Sequence, residues 1–524
     1  MTKKIIFSMC MVFVCLAACK LLPAQSTAFP ITMHTRDPQT KQLLSNTQNV
    51  DASHIAIVII DPWNYHWCMT WTEQAGGMAT RMNRALAGAR SLGMQVIWAP
   101  TDVASMYSGW SQRQRAMAVP YSEVPSNRSY SCTFTTPYDD CMCGPGIYCK
   151  LNYGWDAMSA DMKIADQDLI VAGTKELYSL CKTKGITHLI YFGGATNICI
   201  SEKPEGLTYM YGAGLETIFA RDMAFAMTVY NPATAYTPSK GNEQAADDLE
   251  RAGIPTTVFA DALRRVGKWK DEWITEPVRI TPAGTINRPY FFENTETVTL
   301  EIPYVKDAVI RYTTDGSAPT ALSPRYDRPF VLNKTTTLKT AAFHSNKKVS
   351  LDGNAFFVHM PAVPPQPDIV VSTVEPVEDL YGAMRADYAA CLWKPAVNTS
   401  YEGKPLRIRE RTFKEGLGMR ANAYTRLDLK PEWKRFVALA GVDDNMLTVE
   451  NGRNIAMYPK MVFKIFIDGN LVAESPVMRI SQEPWRFDVS IPAGSRQIVL
   501  VCDDGGKTSP YNLGNWVNAG FCKK

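Results

Sequence analysis

The sequence predicts a multidomain chain: an α/β module built on a parallel sheet, followed by two all-β sandwich modules. Three observations carry this expectation. At 524 residues the chain is too long for one hydrophobic core, and roughly one domain per 150 residues suggests about three. Residues 50–275 alternate apolar, strand-like runs with helix-like stretches, the pattern of a parallel sheet with crossover helices. Residues 276–362 and 368–524 lose the helical period and show short alternating segments instead.

Within the first region, 54–60 is the clearest buried strand, 81–92 reads as a helix with Met82, Leu86 and Ala89 on one face, and 94–99 as the next strand. Residues 168–172 read as a strand, 175–184 as a helix feeding the strand 188–192, and 213–220 as a further strand after a helix begun near Cys199. The second region offers β segments at 297–302, 308–313 and 336–342. Pro361, Pro364, Pro365 and Pro367 then make a stiff linker, so the β modules are expected to hold their own cores. The third region alternates at 462–467 and 498–502.

Composition excludes several classes. Hydrophobic residues make up 46% and charged residues 20% of the chain, values of ordinary folded domains rather than of disorder or a coiled coil. The net charge of +4 is spread without a basic block, so no nucleic-acid partner is expected. The N-terminus reads as an export signal over residues 1–25: Lys3 and Lys4 precede an apolar run, 5–18, too short to span a membrane. Leu16-Ala17-Ala18-Cys19 resembles a bacterial lipobox, in which Cys19 is lipidated, and ordinary cleavage near Ala24 is the rival. The expected location is therefore exported: an outer-membrane or periplasmic lipoprotein held only by its lipid, or a secreted protein.

The chemistry is expected in the first region. Reactive groups of open parallel sheets collect at the carboxyl ends of the strands, and Asp61 directly follows its strand. Cys199 follows the strand 188–192 across a tight turn, Gly193-Gly194-Ala195-Thr196-Asn197-Ile198. At the start of a helix its thiolate would feel the positive end of the dipole. Together the two residues make a base and a nucleophile. The plain alternatives are a small buried cysteine and a helix-capping aspartate.

The early strand with Asp61, a helix holding Arg81-Met82-Asn83, and the late Gly193-Gly194-Ala195-Thr196-Asn197-Ile198-Cys199-Ile200 resemble the isochorismatase-like cysteine hydrolases over about residues 50–235. The resemblance implies a three-layer fold and a triad of Asp, Lys and Cys. In it the Asp accepts the thiol proton, the thiolate attacks an amide carbonyl, and backbone amides near the Cys stabilise the oxyanion. Asp61 and Cys199 carry over by position. The family usually places its lysine at the end of the strand 168–172, where this chain has Ala172-Gly173; Lys175, farther along, is the substitute candidate. Trp63 stands where a glutamine is often found. Pocket candidates are Trp63, His66, Gly194, Ala195 and Thr196, and no cofactor is expected.

Of 13 cysteines, Cys10, Cys15 and Cys19 belong to the leader, which leaves ten for an exported body. Cys132, Cys141, Cys143 and Cys149 cluster in an insertion, where disulfides are preferred over zinc because no regular two-pair ligand pattern is present; no metal site is assigned. His66 and Cys68 are candidates for a metal or for the pocket wall. Trp63, Tyr65, Trp67 and Trp71 give a stacking surface for a ring-shaped ligand, or core packing.

Residues 310–320, with Asp315-Gly316 as a hairpin turn, and Ser323-Pro324-Arg325-Tyr326 resemble the chitobiase/β-hexosaminidase C-terminal domain, in which such a turn is structural. Gly416-Leu417-Gly418-Met419-Arg420-Ala421-Asn422, Asp443-Asp444, Asp468-Gly469, Asp503-Asp504-Gly505 and Asn515-Trp516 resemble the NPCBM carbohydrate-binding-type module. Its acidic residues serve either a ligand or the turns of the sandwich. Cys502 and Cys522 are a candidate bridge, with Cys391 as competitor. Two functions stay open: an exported hydrolase of an amide or related C–N bond in a small-molecule substrate, carried on glycan-associated modules, or a non-catalytic glycan-binding protein with a degenerate hydrolase fold.

Overall fold

The computed structural model describes residues 28–139, 141–144, 149, 154–377, 381–383, 394–450, 453–506 and 509–524. The leader with Cys19, and Cys391, lie outside the described residues.

An antiparallel hairpin, β1 (Ala28–Arg36) and β2 (Leu43–Asp51), leads into the all-apolar strand β3 (Ile55–Ile60). There follow α1 (Met69–Ser91), β4 (Gln95–Ala99), α2 (Ser111–Met117), β5 (Leu169–Ile170), α3 (Thr174–Lys184) and β6 (His188–Gly194). The module continues through α4 (Cys199–Glu202), α5 (Leu207–Gly212), β7 (Glu216–Phe225), α6 (Pro238–Arg251), β8 (Thr256–Thr257) and α7 (Phe259–Arg265). One sheet of order β2-β1-β8-β7-β6-β3-β4-β5 results, parallel from β8 to β5.

Alternate residues of each strand enter opposite layers, because the side-chain period of a strand is two. Ile55, Ile57, Ile59, Ile190 and Phe192 pack on the side of α1 and α7. Ala56, Val58, Ile60, Leu189 and Tyr191 pack against α3, α5 and α6. Both faces of the sheet are covered, which is why β3 reads as an unbroken apolar run.

The sequence differs from the structure in three places here. The hairpin 28–51, for which no strand was expected, joins the sheet: Phe29 and Ile31 of its first strand enter the core, while its second strand is polar and exposed. Helix α1 begins twelve residues before position 81: Cys68 caps it by accepting the Trp71 amide, and Gly76-Gly77 inside it obscured the period. Residues 213–215 end α5 and approach β7 rather than forming strand.

The second module pairs a sheet containing Tyr290–Phe292, Gly353–His359, Thr336–His344 and Val309–Thr313 with a three-stranded sheet containing Phe330–Leu332, Glu296–Glu301 and Arg279–Thr281. It does not keep a separate core. Val278, Ile280, Tyr290, Phe292 and Val298 belong to the same apolar cluster as Trp71, Met78 and Met82 of α1. The third module is a sandwich of two antiparallel sheets, and its core, around Trp433, Phe436, Phe463 and Trp516, takes in Phe291, Val358 and Met360 from its neighbour, with Phe356 packed against it.

A buried ion group pins the first two modules together. Arg81 Nη1 donates to Glu276 Oε2 at 2.9 Å, its Nε donates to the Asp222 carbonyl at 3.1 Å, and its Nη2 lies 3.7 Å from Asp222 Oδ2. Asp222 in turn accepts the Phe259 and Ala260 amides at the start of α7. Removing one member of such a group leaves the others charged and dry, at a cost of about 3–5 kcal/mol. Arg81→Met is therefore expected to lower the urea midpoint of the tryptophan-fluorescence transition reporting on Trp269, which lies 5.1 Å from the guanidinium. An unchanged midpoint would mean that the group adds nothing to the seam.

Candidate active site

The register of the sheet brings the two reactive candidates together. Ile60 pairs with Gly193 across β3 and β6, so the next residue of β3, Asp61, opens onto the turn that carries Cys199. Strand β3 also lies where the connections switch sides of the sheet, leading to β4 on one flank and, through α3, to β6 on the other; a crevice forms at such a point. Gly193 is required by this closeness: its φ is +104°, and a Cβ would sit 2.0 Å from the Ile60 carbonyl oxygen.

The turn itself is clamped by side chains. Thr196 is fully buried and donates to Asn242 Oδ1 of α6 at 2.8 Å, while its amide donates to the Phe225 carbonyl at 3.0 Å. Asn197 donates to the Met227 carbonyl and accepts the Met227 amide. The pocket candidate Thr196 thus holds the turn's shape, and at Gly194 a Cβ would sit 2.5 Å from the Phe225 ring. The Ala195 amide reaches the Cys199 sulfur and favours its thiolate.

Asp61 is 1% exposed, and among the described residues no N–H or O–H group stands within hydrogen-bond distance of its carboxylate oxygens. The groups facing it are the Lys203 ammonium, 3.6 Å from Oδ2, and the Cys199 thiol. Burial pushes the Asp61 carboxyl up to about 7, against the opposing pull of Lys203 and of the thiol. Burial, and then the Asp61 charge, push the Cys199 thiol well above its ordinary value. Burial alone would lower the Lys203 ammonium, but Asp61 and Asp102, the latter at 2.7 Å, hold it above the usual lysine value.

Lys203 is the cation that the sequence reading did not find. It follows Cys199 by four residues, and the single turn of α4 between them puts both side chains on the side of Asp61. Lys175 lies in α3 with its ammonium 4.6 Å from the centre of the Tyr121 ring. At Ala172-Gly173, where the lysine was sought, the Ala172 amide donates to Glu176 and the Gly173 amide to Glu205. The helix after Cys199 is also shorter than expected. One turn of four residues has little dipole, so the thiolate depends on Lys203 and the Ala195 amide.

Aromatic residues roof the site. Trp63, directly over the Lys203 ammonium at 5.5 Å, stacks face to face on Trp155 at 3.4 Å between ring centres. His66 lies between Trp67 and Trp71, accepts the Cys68 amide on Nδ1, and is pushed down to about 3 by burial and by the Arg288 charge. It is a neutral packing ring. The cavity bounded by Asp61, Trp63, Met82, Met162, Gly193 and Phe225 measures about 20 Å³, room for roughly one water.

In the third module the sequence candidates serve the sandwich. Asp468 accepts the Arg496 and Gln497 amides, Asp443 caps a short helix, Asn422 and Asp504 exchange two hydrogen bonds, and Trp516 is core. Cys502 and Cys522 stand in opposite sheets as free thiols, and no disulfide is present among the described residues.

The chain is thus an α/β module of the parallel, three-layer type followed by two β modules. Residues 289–352 match the family model of the chitobiase/beta-hexosaminidase C-terminal domain, and 381–522 that of the NPCBM/NEW2 domain. Among solved structures, a cysteine hydrolase from Pseudomonas syringae pv. phaseolicola 1448A is similar at 13% identity over 45% of this chain and 97% of that one, with a TM-score of 0.26. An isochorismatase family protein from Burkholderia thailandensis is similar at 16% identity over 40% and 96%, TM-score 0.25. The CBM51 module of a Clostridium perfringens GH95 protein, in complex with methyl-galactose, is similar at 19% identity over 29% and 98%, TM-score 0.24. No curated protein sequence matches the chain.

Burial of Asp61 has a consequence for stability. Because its folded pKa, about 7, lies above the ordinary 3.8, the folded state holds the proton more tightly than the unfolded one. The stabilisation this gives is complete below the unfolded pKa and is lost as pH rises through the folded one. At roughly 1.4 kcal/mol per unit, the ionised group costs as much as about 4 kcal/mol at pH 8. Asp61→Asn is therefore expected to raise the melting temperature more at pH 8 than at pH 5. Equal shifts at both values would contradict a raised carboxyl.

Proposed function

We propose that the first module is a cysteine hydrolase of an amide or related C–N bond in a small-molecule substrate, working in an exported protein whose C-terminal modules hold it near glycan. The convergence of Asp61, Cys199 and Lys203 at the carboxyl ends of β3 and β6 carries this reading. It also favours an enzyme over a degenerate binding fold, since the cation missing from its expected place is supplied from another.

Asp61 takes the Cys199 proton and the sulfur attacks the carbonyl carbon. Amides of the turn 194–199 stabilise the oxyanion. The tetrahedral intermediate collapses as Asp61 returns the proton to the leaving nitrogen, releasing the amine and leaving a thioester. Water, deprotonated by Asp61, attacks the thioester; the acid departs and the thiol is restored. Lys203 keeps the carboxylate ionised in a dry site and offsets the charge that moves to sulfur. With so little free volume beside Asp61, the substrate's acyl part enters as the Trp63-Trp155 stack gives way.

The glycan role is supported by the matches of residues 381–522 and 289–352 to modules of carbohydrate-active proteins. Export is supported by the leader's pattern of charge and apolar run.

A panel of primary amides and ureido compounds, followed by ammonia release, tests the reading. Cys199→Ala is expected to abolish turnover. Lys203→Met removes a charge-assisted contact worth roughly 1.5–3 kcal/mol, which lowers kcat by about one to two powers of ten, and Lys175→Ala leaves it unchanged. Turnover that survives Cys199→Ala, or that falls with Lys175→Ala and not with Lys203→Met, would refute this constellation.

A further inference from the structure

The fold gathers four cysteines at one buried point outside the catalytic crevice. Cys68, Cys141 and Cys143 place their sulfurs within 4.8 Å of one another. Cys68 Sγ lies 3.9 Å from Cys143 Sγ, and Cys149 Sγ lies 3.7 Å from Cys143 Sγ. All four side chains are buried and none is in a disulfide. Sulfurs at 2.3 Å from one ion in a tetrahedron stand about 3.8 Å apart, and these two spacings match that edge.

Backbone and hydroxyl donors are aimed at the sulfurs. Cys68 Sγ accepts the Met142 amide at 3.2 Å and the Trp71 amide at 3.5 Å; Cys149 Sγ accepts the Met69 amide at 3.2 Å; Cys141 Sγ accepts the Cys143 amide at 3.4 Å. Thr70 Oγ1, which accepts the Ala283 amide of the second module, stands 3.1 Å from Cys143 Sγ and is placed to donate its proton there. Amide and hydroxyl donors aimed at sulfur are the outer-shell contacts that orient metal-bound thiolates and spread their charge. Ionised, four sulfurs buried this close together would repel one another, and a cation bound among them would offset that charge.

We propose that Cys68, Cys141, Cys143 and Cys149 bind a single zinc ion as a structural tetrathiolate site. The four S–H protons leave to solvent, four Zn–S bonds form, and no electron is transferred. A redox-inert, thiophilic ion in a closed tetrahedral site fits zinc. The site would fasten the insertion by tying Cys141, Cys143 and Cys149 to Cys68, the N-cap of α1. Sequence pattern hid it, because the fourth ligand, Cys68, lies far upstream and no two-pair motif results.

The test uses the full chain, purified without chelator or added metal. Elemental analysis by inductively coupled plasma mass spectrometry is expected to find about one zinc per chain, and titration with p-hydroxymercuribenzoate to release it as thiols are consumed. Cobalt exchanged into the site should give the intense visible bands of a tetrahedral tetrathiolate. Cys143→Ser should lose most of the metal, and Cys132→Ser, a thiol outside the cluster, should keep it. If Cys143→Ser does not fold, release from wild type by the mercurial decides the question alone. Wild type that holds no zinc, binds neither added zinc nor cobalt, and yields these cysteines as disulfide-linked or freely alkylated peptides would overturn the proposal.

Discussion

The module rests on one uncomfortable placement: a carboxylate buried at the end of a fully apolar strand, with one ammonium as its counter-charge. Desolvation raises Asp61 toward neutrality and raises the Cys199 thiol further, so in the dry crevice the two share a proton that neither readily gives to water. Lys203 decides the balance. It draws charge onto the pair without being drawn in fully itself, because Asp102 at the rim holds its other side. The rest of the local structure serves this geometry: the Ile60-Gly193 register sets Asp61 against the turn, Thr196 and Asn197 fix the turn, and Trp63 with Trp155 keeps water out.

The other modules are built onto that crevice rather than strung behind it. Helix α1 buries one side on the sheet and the other on the second module, where Gln74 donates to Thr281 and Arg81 to Glu276. The third module reaches the insertion: Asn454 donates to the Gly154 carbonyl and the Tyr458 hydroxyl to Asp156, on either side of Trp155. Asp156 also accepts Asn64, next to Trp63. The segment around Trp155 is therefore held from two directions, by the loop after β3 and by the third module. The aromatic roof and the seating of the third module share these contacts.

Much of this was legible because strand ends announce themselves. Six consecutive apolar residues followed by Asp61, and a glycine-rich turn running into Cys199, define positions on a parallel sheet before any coordinates are known. Lys203 was not legible for a physical reason. The lysine was sought at the end of the strand near 172, but the expected strand shrinks to Leu169–Ile170 and the amides beyond it are taken by Glu176 and Glu205. The replacement enters through an i,i+4 relation on one helical turn, a spacing too common to stand out. The cysteine cluster was legible only in pieces, Cys141, Cys143 and Cys149 as a weighed zinc alternative and Cys68 as a separate metal candidate, because its sulfurs come from a helix cap and a distant loop. The hairpin 28–51 escaped because its outer strand is an exposed polar edge and its inner strand buries little more than Phe29 and Ile31.

Whether Asp61 governs Cys199 is the point on which the account stands. The most direct measurement is the pH dependence of the iodoacetamide alkylation rate of Cys199, followed by peptide mass spectrometry in wild type and Asp61→Asn. The account predicts a rate that rises through an apparent pKa near 7 in wild type, the value printed on the pair by the buried carboxyl, and loss of that step in the variant. A wild-type profile that rises only in the ordinary thiol range, about 8.5, and is unchanged by Asp61→Asn would contradict it.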